Sequence, residues 1–217
     1  MFEGFSPETI DFLWGIRFNN NREWFLEHKK EYEKTLYRPM LALADAVTEL
    51  APLEGTVTKA SRIYRDVRYS NGIPYKDHLW FCMREDNVFW SEHPSMYFQI
   101  EPEGGSFGFL LWSPKARLME AHRKRMLQKP KEFLAIVTPI LADGRFTNNS
   151  GFYKRPKEGG SPKLEPWYQL KSCFFEVQIP VGDELFDTKL PERIADAFKT
   201  LEPLYAYFRK LEGTLEA

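Results

Sequence analysis

Between Lys59 and Lys76 the chain reads KASRIYRDVRYSNGIPYK, which gathers Lys59, Arg62, Arg65, Arg68 and Lys76 around one acid, Asp66. Arginine carries a planar fork of donors that matches carboxylates and phosphates, so this density of guanidinium groups points to recognition of an anion. Asp66 is the candidate catalytic residue, placed either to orient a guanidinium or to act as a base. Ser70, Tyr69 and Tyr75 add hydroxyls and a wall. As a strand, period 2 puts Arg62, Tyr64, Asp66 and Arg68 on one face. Arg65 then shares the other face with Ile63 and Val67, where a charge must snorkel out or find a partner. Asn71-Gly72 and Pro74 predict a turn that returns Tyr75 and Lys76 to the arginines. The competing structural reading is an ion-pair network on a sheet face, answered by acids elsewhere.

A second basic stretch runs from Lys115 to Lys131, with Arg117, Arg123, Lys124, Arg125 and Lys129 between them and Glu120 as the sole acid. On a helix most of these charges share the solvent side. Joined to the first stretch they would follow a phosphate backbone, with Tyr153 and Trp167 exposed to stack bases, so nucleic acid is an alternative partner. A third reading is a protein-interaction module that docks through the aromatic helix Trp24 to Tyr32.

Other chemistry is poorly represented. Gly104-Gly105-Ser106-Phe107-Gly108 matches the G-x-S-x-G nucleophile elbow, but that elbow needs a helix after the serine. Here Phe109 to Trp112 reads as a strand, and no Asp lies between Ser106 and His122. The glycines fit the positive φ of a tight hairpin turn better. His28, His78, His93 and His122 form no H-x-x-x-H or H-x-H pair, and the cysteines form no C-x-x-C, so no metal site is expected. His122 falls at the spacing of Leu118 and Met126, as a packed histidine would. Without a Walker A loop or a G-x-G-x-x-G fingerprint, no cofactor is expected either.

The elements that must position these residues fall into blocks. Residues 1–52 read as helical: Ser6-Pro7 caps the first helix, Asn20 and Glu23 offer a capping box for the second, and Trp24, Phe25, His28, Tyr32 and Leu36 form its apolar face. Pro39 interrupts that stripe before Leu43, Val47 and Leu50 resume it. Residues 56–112 alternate as strands, with a hairpin around Glu103-Gly104-Gly105-Ser106. Residues 113–142 read as helices opened by Ser113-Pro114 and Pro130, 143–172 as a long loop, 173–180 as a strand, and 190–212 as C-terminal helices bent by Pro203. The pattern gives one α+β domain, a mainly antiparallel sheet with helices from both ends of the chain packed against it.

The bulk numbers agree with such a domain. The chain has 217 residues, 43% hydrophobic and 28% charged, with a net charge of −1 that exerts no general pull on nucleic acid or anionic membrane. Aromatics make up 16%, enough for a thick core and an aromatic-walled groove. Cys82 and Cys173 lie in apolar runs, as buried thiols of a reducing compartment do. No basic and apolar leader opens the sequence and no apolar run approaches a membrane span, so a cytoplasmic location and no membrane partner are expected.

The sequence also resembles an uncharacterised family, domain of unknown function 2461, over nearly its whole length. The likeness lies in Phe5-Ser6, Phe12-Leu13, Asn19 to Phe25, Tyr32 and Pro39, in Arg62 to Ser70 with Pro74-Tyr75-Lys76, and in Arg155-Pro156-Lys157 with Leu170-Lys171. The R-x-x-R-D-x-R-[FY]-S run followed by P-Y-K is its most specific part. Asn71-Gly72-Ile73 is shorter than the charged spacer associated with the family and lacks its lysines. The resemblance implies an α+β domain without an established activity, and one site shared by the segments around Trp24, Arg65 and Arg155. On this reading Arg62, Arg65 and Arg68 hold an anionic small molecule, phosphorylated or carboxylated, with Lys76 and Arg155 closing over it and Trp24, Tyr69, Ser70 and Tyr75 beside it. Whether chemistry follows binding stays open, as does the oligomeric state.

Overall fold

Ser6 has extended backbone and Pro7 already carries the φ of a first helical turn, so helix α1 (Pro7–Phe18) starts where the sequence predicts. The Ser6 N–H donates to Thr9 Oγ1 at 3.1 Å, which satisfies an end-group of the turn. Phe12, Leu13 and Ile16 form its fully buried stripe. Helix α2 (Arg22–Glu27) is capped by Asn21, whose Oδ1 accepts the Trp24 N–H at 3.0 Å, one residue later than the capping box read from Asn20.

The next helix shows what Pro39 does. Helix α3 (Lys29–Glu31) runs into a π-helical turn (Tyr32–Tyr37) and then α4 (Arg38–Leu50). Pro39 has no N–H for the carbonyl four residues back, and its ring crowds that carbonyl. The carbonyl belongs to Thr35, and it accepts instead from the Thr9 hydroxyl of α1 at 2.7 Å. The widened turn is completed by the Arg38 N–H donating to the Glu33 carbonyl. Thr9 is fully buried, and this bond gives both it and Thr35 a partner.

The computed structural model describes every residue except Val67, Tyr69, Asn71, Asn87 and Ala217. Its sheet has six antiparallel strands in the order β1-β2-β3-β4-β6-β5. These are β1 (Thr56–Ala60), β2 (Leu79–Glu85), β3 (Ser95–Glu101), β4 (Gly104–Leu111), β5 (Thr147–Asn148) and β6 (Cys173–Pro180). Edge strand β5 pairs with β6 in the register Thr147 to Glu176. The helices are completed by α5 (Ala116–Gln128), α6 (Pro130–Asp143), α7 (Asp183–Phe186) and α8 (Leu190–Glu216), with Pro203 inside α8. The α+β class, with helices at both ends of the chain, is as expected.

Ser106 lies within β4, with strand on both sides, so no nucleophile elbow exists. The glycines around it do not make the hairpin turn, which falls on Pro102 and Glu103. They let β4 approach β6: a Cβ on Gly104 would strike the Ile179 carbonyl, and one on Gly108 the Phe175 carbonyl.

The chain forms two compact units. The first comprises Met1–Met83, Tyr97–Phe107 and Gln178–Asp196, and the second Arg84–Met96, Gly108–Val177 and Ala197–Ala217. In the first, Phe98 stacks between Phe5 and Phe81 at 5.9 and 5.8 Å. In the second, Phe133, Tyr207 and Phe208 surround His122. Segment 143–172 is ordered by β5, by a Phe152–Leu170 bridge and by a 3-10 turn (Trp167–Gln169). Trp167, read from sequence as an exposed stacking residue, is buried in that core. Cys82 and Cys173 are buried, and burial pushes the Cys173 pKa up to about 12.

Candidate functional site

The described residues of the RIYRDVRYS segment form no extended strand. One antiparallel bridge pairs Tyr64 with Tyr75, flanked by Arg65 N–H to Pro74 carbonyl at 2.8 Å and Lys76 N–H to Ile63 carbonyl at 2.7 Å. The predicted turn does bring Tyr75 and Lys76 back, and the Ile73 N–H closes it on the Ser70 carbonyl at 2.9 Å. Period 2 does not carry past the bridge, because the described residues beyond it pair with no neighbouring strand that would hold them extended.

Asn20 locks the returning arm. Its Nδ2 donates to the Tyr75 carbonyl and its Oδ1 accepts the Tyr75 N–H, both at 3.0 Å. The buried Tyr75 ring then stacks on Phe25 at 4.3 Å. Arg65 finds its partner locally, with Nε on the Tyr75 carbonyl at 2.8 Å and a terminal nitrogen 3.3 Å from Asp77 Oδ1. Asp77 also receives Arg17 Nε of α1 at 2.7 Å, and Arg17 reaches Glu103 as well. Burial pushes the Asp77 carboxyl up, but hydrogen bonds from Arg17 and His78 outweigh it and hold the pKa below the usual value.

Asp66 and Arg68 engage one another. Arg68 donates through Nε at 2.9 Å and through a terminal nitrogen at 2.5 Å, and this holds the Asp66 pKa down at about 2. A carboxylate so stabilised is a weak proton acceptor near neutral pH. Lys76 donates to the Arg62 carbonyl at 2.7 Å, and burial, with the charges of Arg65 and Arg62, lowers its pKa. Tyr69 lies outside the described residues. Arg155 is exposed and belongs to the second compact unit, while Trp24, Arg62 and Arg65 belong to the first. Trp24 stacks on His28 at 4.0 Å and rests against Gly15, where a Cβ would collide with its ring. The aromatic face of Trp24 to Tyr32 is thus turned inward, with Phe25 and Tyr32 buried. On the second basic stretch, Lys115 pairs with Glu92 at 3.0 Å and Arg125 with Glu132 at 2.5 Å.

Arg62 is placed differently from its neighbours. It lines a groove of about 430 Å³ within the first unit. Phe25, Tyr32, Tyr37 and Tyr64 supply its aromatic walls, and Leu41 and Ile63 add aliphatic surface. Lys29, Arg38 and Arg62 stand at it with one acid, Glu33, which lies 3.9 Å from Lys29. Among the described residues the guanidinium groups of Arg62 and Arg38 have no ion-pair partner. Burial, followed by the neighbouring Tyr37, Tyr64 and Glu33, raises the Tyr32 pKa well above that of a free phenol, so the ring is a neutral wall. The high aromatic content foretold such a groove. It did not identify Tyr37 and Arg38, which face it because the π-helical turn shifts the phase of the helix, and such turns recur at functional sites.

Among the described residues no group of three or more His, Cys, Asp or Glu side chains is arranged to hold a metal ion. Among those residues, too, no helix is long and apolar enough to cross a membrane. No curated protein matches the chain. The family described as "Conserved hypothetical protein (DUF2461)" matches residues 8–207, and the chain belongs to it.

Proposed function

We propose that this member of the conserved hypothetical family binds an anionic small molecule, phosphorylated or carboxylated, in the groove between the π-helical turn and Arg62–Tyr64. The observation that carries the reading is the contrast among the three arginines of the motif. Arg65 and Arg68 each pair with a carboxylate, Asp77 and Asp66, whereas Arg62 stands at the groove and pairs with none among the described residues. A guanidinium not already paired retains its full hydrogen-bonding fork for a ligand. Three cations to one acid make the local field positive in a protein that is close to neutral overall. A groove of this volume falls in the range of small-molecule sites, mostly apolar with a few placed polar groups.

Other residues then serve to place Arg62: Lys76 fixes its carbonyl, and Asn20 and Arg65 fix the returning arm, whereas Asp66 and Arg68 engage one another. Binding is the activity this chemistry supplies; with Asp66 held at low pKa by Arg68, it provides no strong base.

The test is an NMR titration of the intact protein with inorganic phosphate and with acetate. Saturable shifts at groove residues, lost in Arg62→Ala and retained in Arg68→Ala, are expected. Loss of an ionic hydrogen bond to the ligand corresponds to about a tenfold or greater weakening. Equal responses of the two variants, or shifts centred on residues 66–68, would remove Arg62 from the site.

A further inference from the structure

We infer that the groove prefers an aromatic acid, a flat ring bearing a carboxylate or a phosphate, over a bare anion. The inference rests on the anion-binding reading above and specifies the other half of the ligand. An inorganic ion would use only the cationic rim and leave the walls in water. Part of those walls is open, with Tyr64 keeping 55% of its surface exposed and Leu41 37%, and buried Phe25, Tyr32 and Ile63 back it. Exposed apolar surface beside a charged rim is the arrangement that accommodates a ligand with an apolar body and an acidic head.

Aromatic preference follows from how Tyr64 is held. Its backbone is bridged to Tyr75, and its ring meets Phe25 edge-on at 5.8 Å and 72° and Tyr75 at 5.5 Å. The ring is therefore oriented before any ligand arrives, and little side-chain freedom remains to be lost on binding. Tyr32 and Tyr37 line the same groove, stacked on each other at 5.5 Å and 28°. Tyr32 is buried while Tyr37 is partly open, so the pair offers a backed aromatic face instead of a mobile one. Rings attract other rings through offset or edge contacts beyond what burial alone gives. A groove of about 430 Å³ has room for one or two fused rings with the acid directed to Arg62 and Arg38. The carboxylate and phosphate forms share this chemistry and are separated by experiment.

The experiment is calorimetric titration of the intact protein with four probes: indole-3-acetate, its non-aromatic counterpart cyclohexylacetate, adenosine 5′-monophosphate and ribose 5-phosphate. Aromatic probes are expected to bind about tenfold tighter than their counterparts, and the tighter of the two identifies the headgroup. Tyr64→Leu keeps apolar bulk but removes the π face, so it should abolish the preference while leaving the counterparts' affinities nearly unchanged. The exposure of Tyr64 makes this variant fold as the parent does. If each counterpart binds as tightly as its aromatic partner and Arg62→Ala weakens all of them, the aromatic inference fails and anion binding stands. If none of the four binds, both fall.

Discussion

Acid should destabilise this protein through the fully buried imidazole of His122. His122 on α5 is fully buried, with Nδ1 3.0 Å from the Tyr207 hydroxyl and Nε2 3.1 Å from the Trp167 carbonyl. A carbonyl only accepts, so Nε2 carries the proton and donates to Trp167, while Nδ1 accepts from Tyr207. A charged ring would need a second acceptor that Tyr207 supplies less well, and burial, with a smaller contribution from Arg123, pushes the pKa down to about 4. The unfolded chain titrates near the ordinary value of about 6.5, so over this interval the unfolded state binds more protons than the folded one. Stability from this group is therefore complete above pH 6.5 and is lost as pH falls toward 4. The linked loss is about 2 kcal/mol by pH 5 and about 3 kcal/mol by pH 4. With a urea slope of about 2 kcal/mol per molar, the midpoint should drop by about 1 M between pH 7 and pH 5. His122→Leu removes the titration and leaves two buried polar groups unpaired, which costs about 2 to 4 kcal/mol at pH 7. The variant should be weaker at neutral pH yet flatter between pH 7 and pH 5, as followed by urea denaturation. Parallel losses in parent and variant across that window would refute the buried neutral imidazole.

Thr9→Val keeps the shape of the side chain but removes the donor to the Thr35 carbonyl, so thermal unfolding should report a loss of about 1 to 3 kcal/mol that Thr9→Ser largely restores. Asn20→Ala breaks both bonds to the Tyr75 backbone. It should cost about 2 kcal/mol and accelerate hydrogen exchange at the Tyr75 amide; unchanged exchange would mean the arm is held elsewhere. Arg68→Ala deletes a solvent-exposed pair and should leave the denaturation midpoint essentially where it is; a clear drop would mean the pair holds the turn.

What the sequence reveals depends on how far apart the cooperating residues lie. Ser6-Pro7 and Pro130 mark helix starts because capping is a local matter, and the structure begins α1 and α6 there. Pro39 announces a break in the apolar stripe, but the outcome, a π-helical turn, depends on a hydroxyl 26 residues earlier that no local pattern ties to it. The same limit hides the site. Arg65 was recognisably a charge in need of a partner, yet Asp77 qualifies only after the turn has formed, and Arg17 approaches from 60 residues away. Asn20 could be read as a cap because capping is what asparagine does near a helix start; its role on Tyr75 spans 55 residues. The glycines of the Gly-x-Ser-x-Gly match show the reverse error, where a local explanation, the turn, stood in for the close approach of strand β6. Among the motif's three arginines, sequence alone offers no reason to single out Arg62, since its distinction is that it forms no ion pair among the described residues while lining the groove.

The most direct measurement is a crystal structure of the protein grown with millimolar indole-3-acetate or adenosine 5′-monophosphate. The acidic group is expected within hydrogen-bond distance of the Arg62 guanidinium, with the ring against Tyr64. An acid bound instead at Arg65 or Arg68, with Asp77 or Asp66 displaced, would contradict the account.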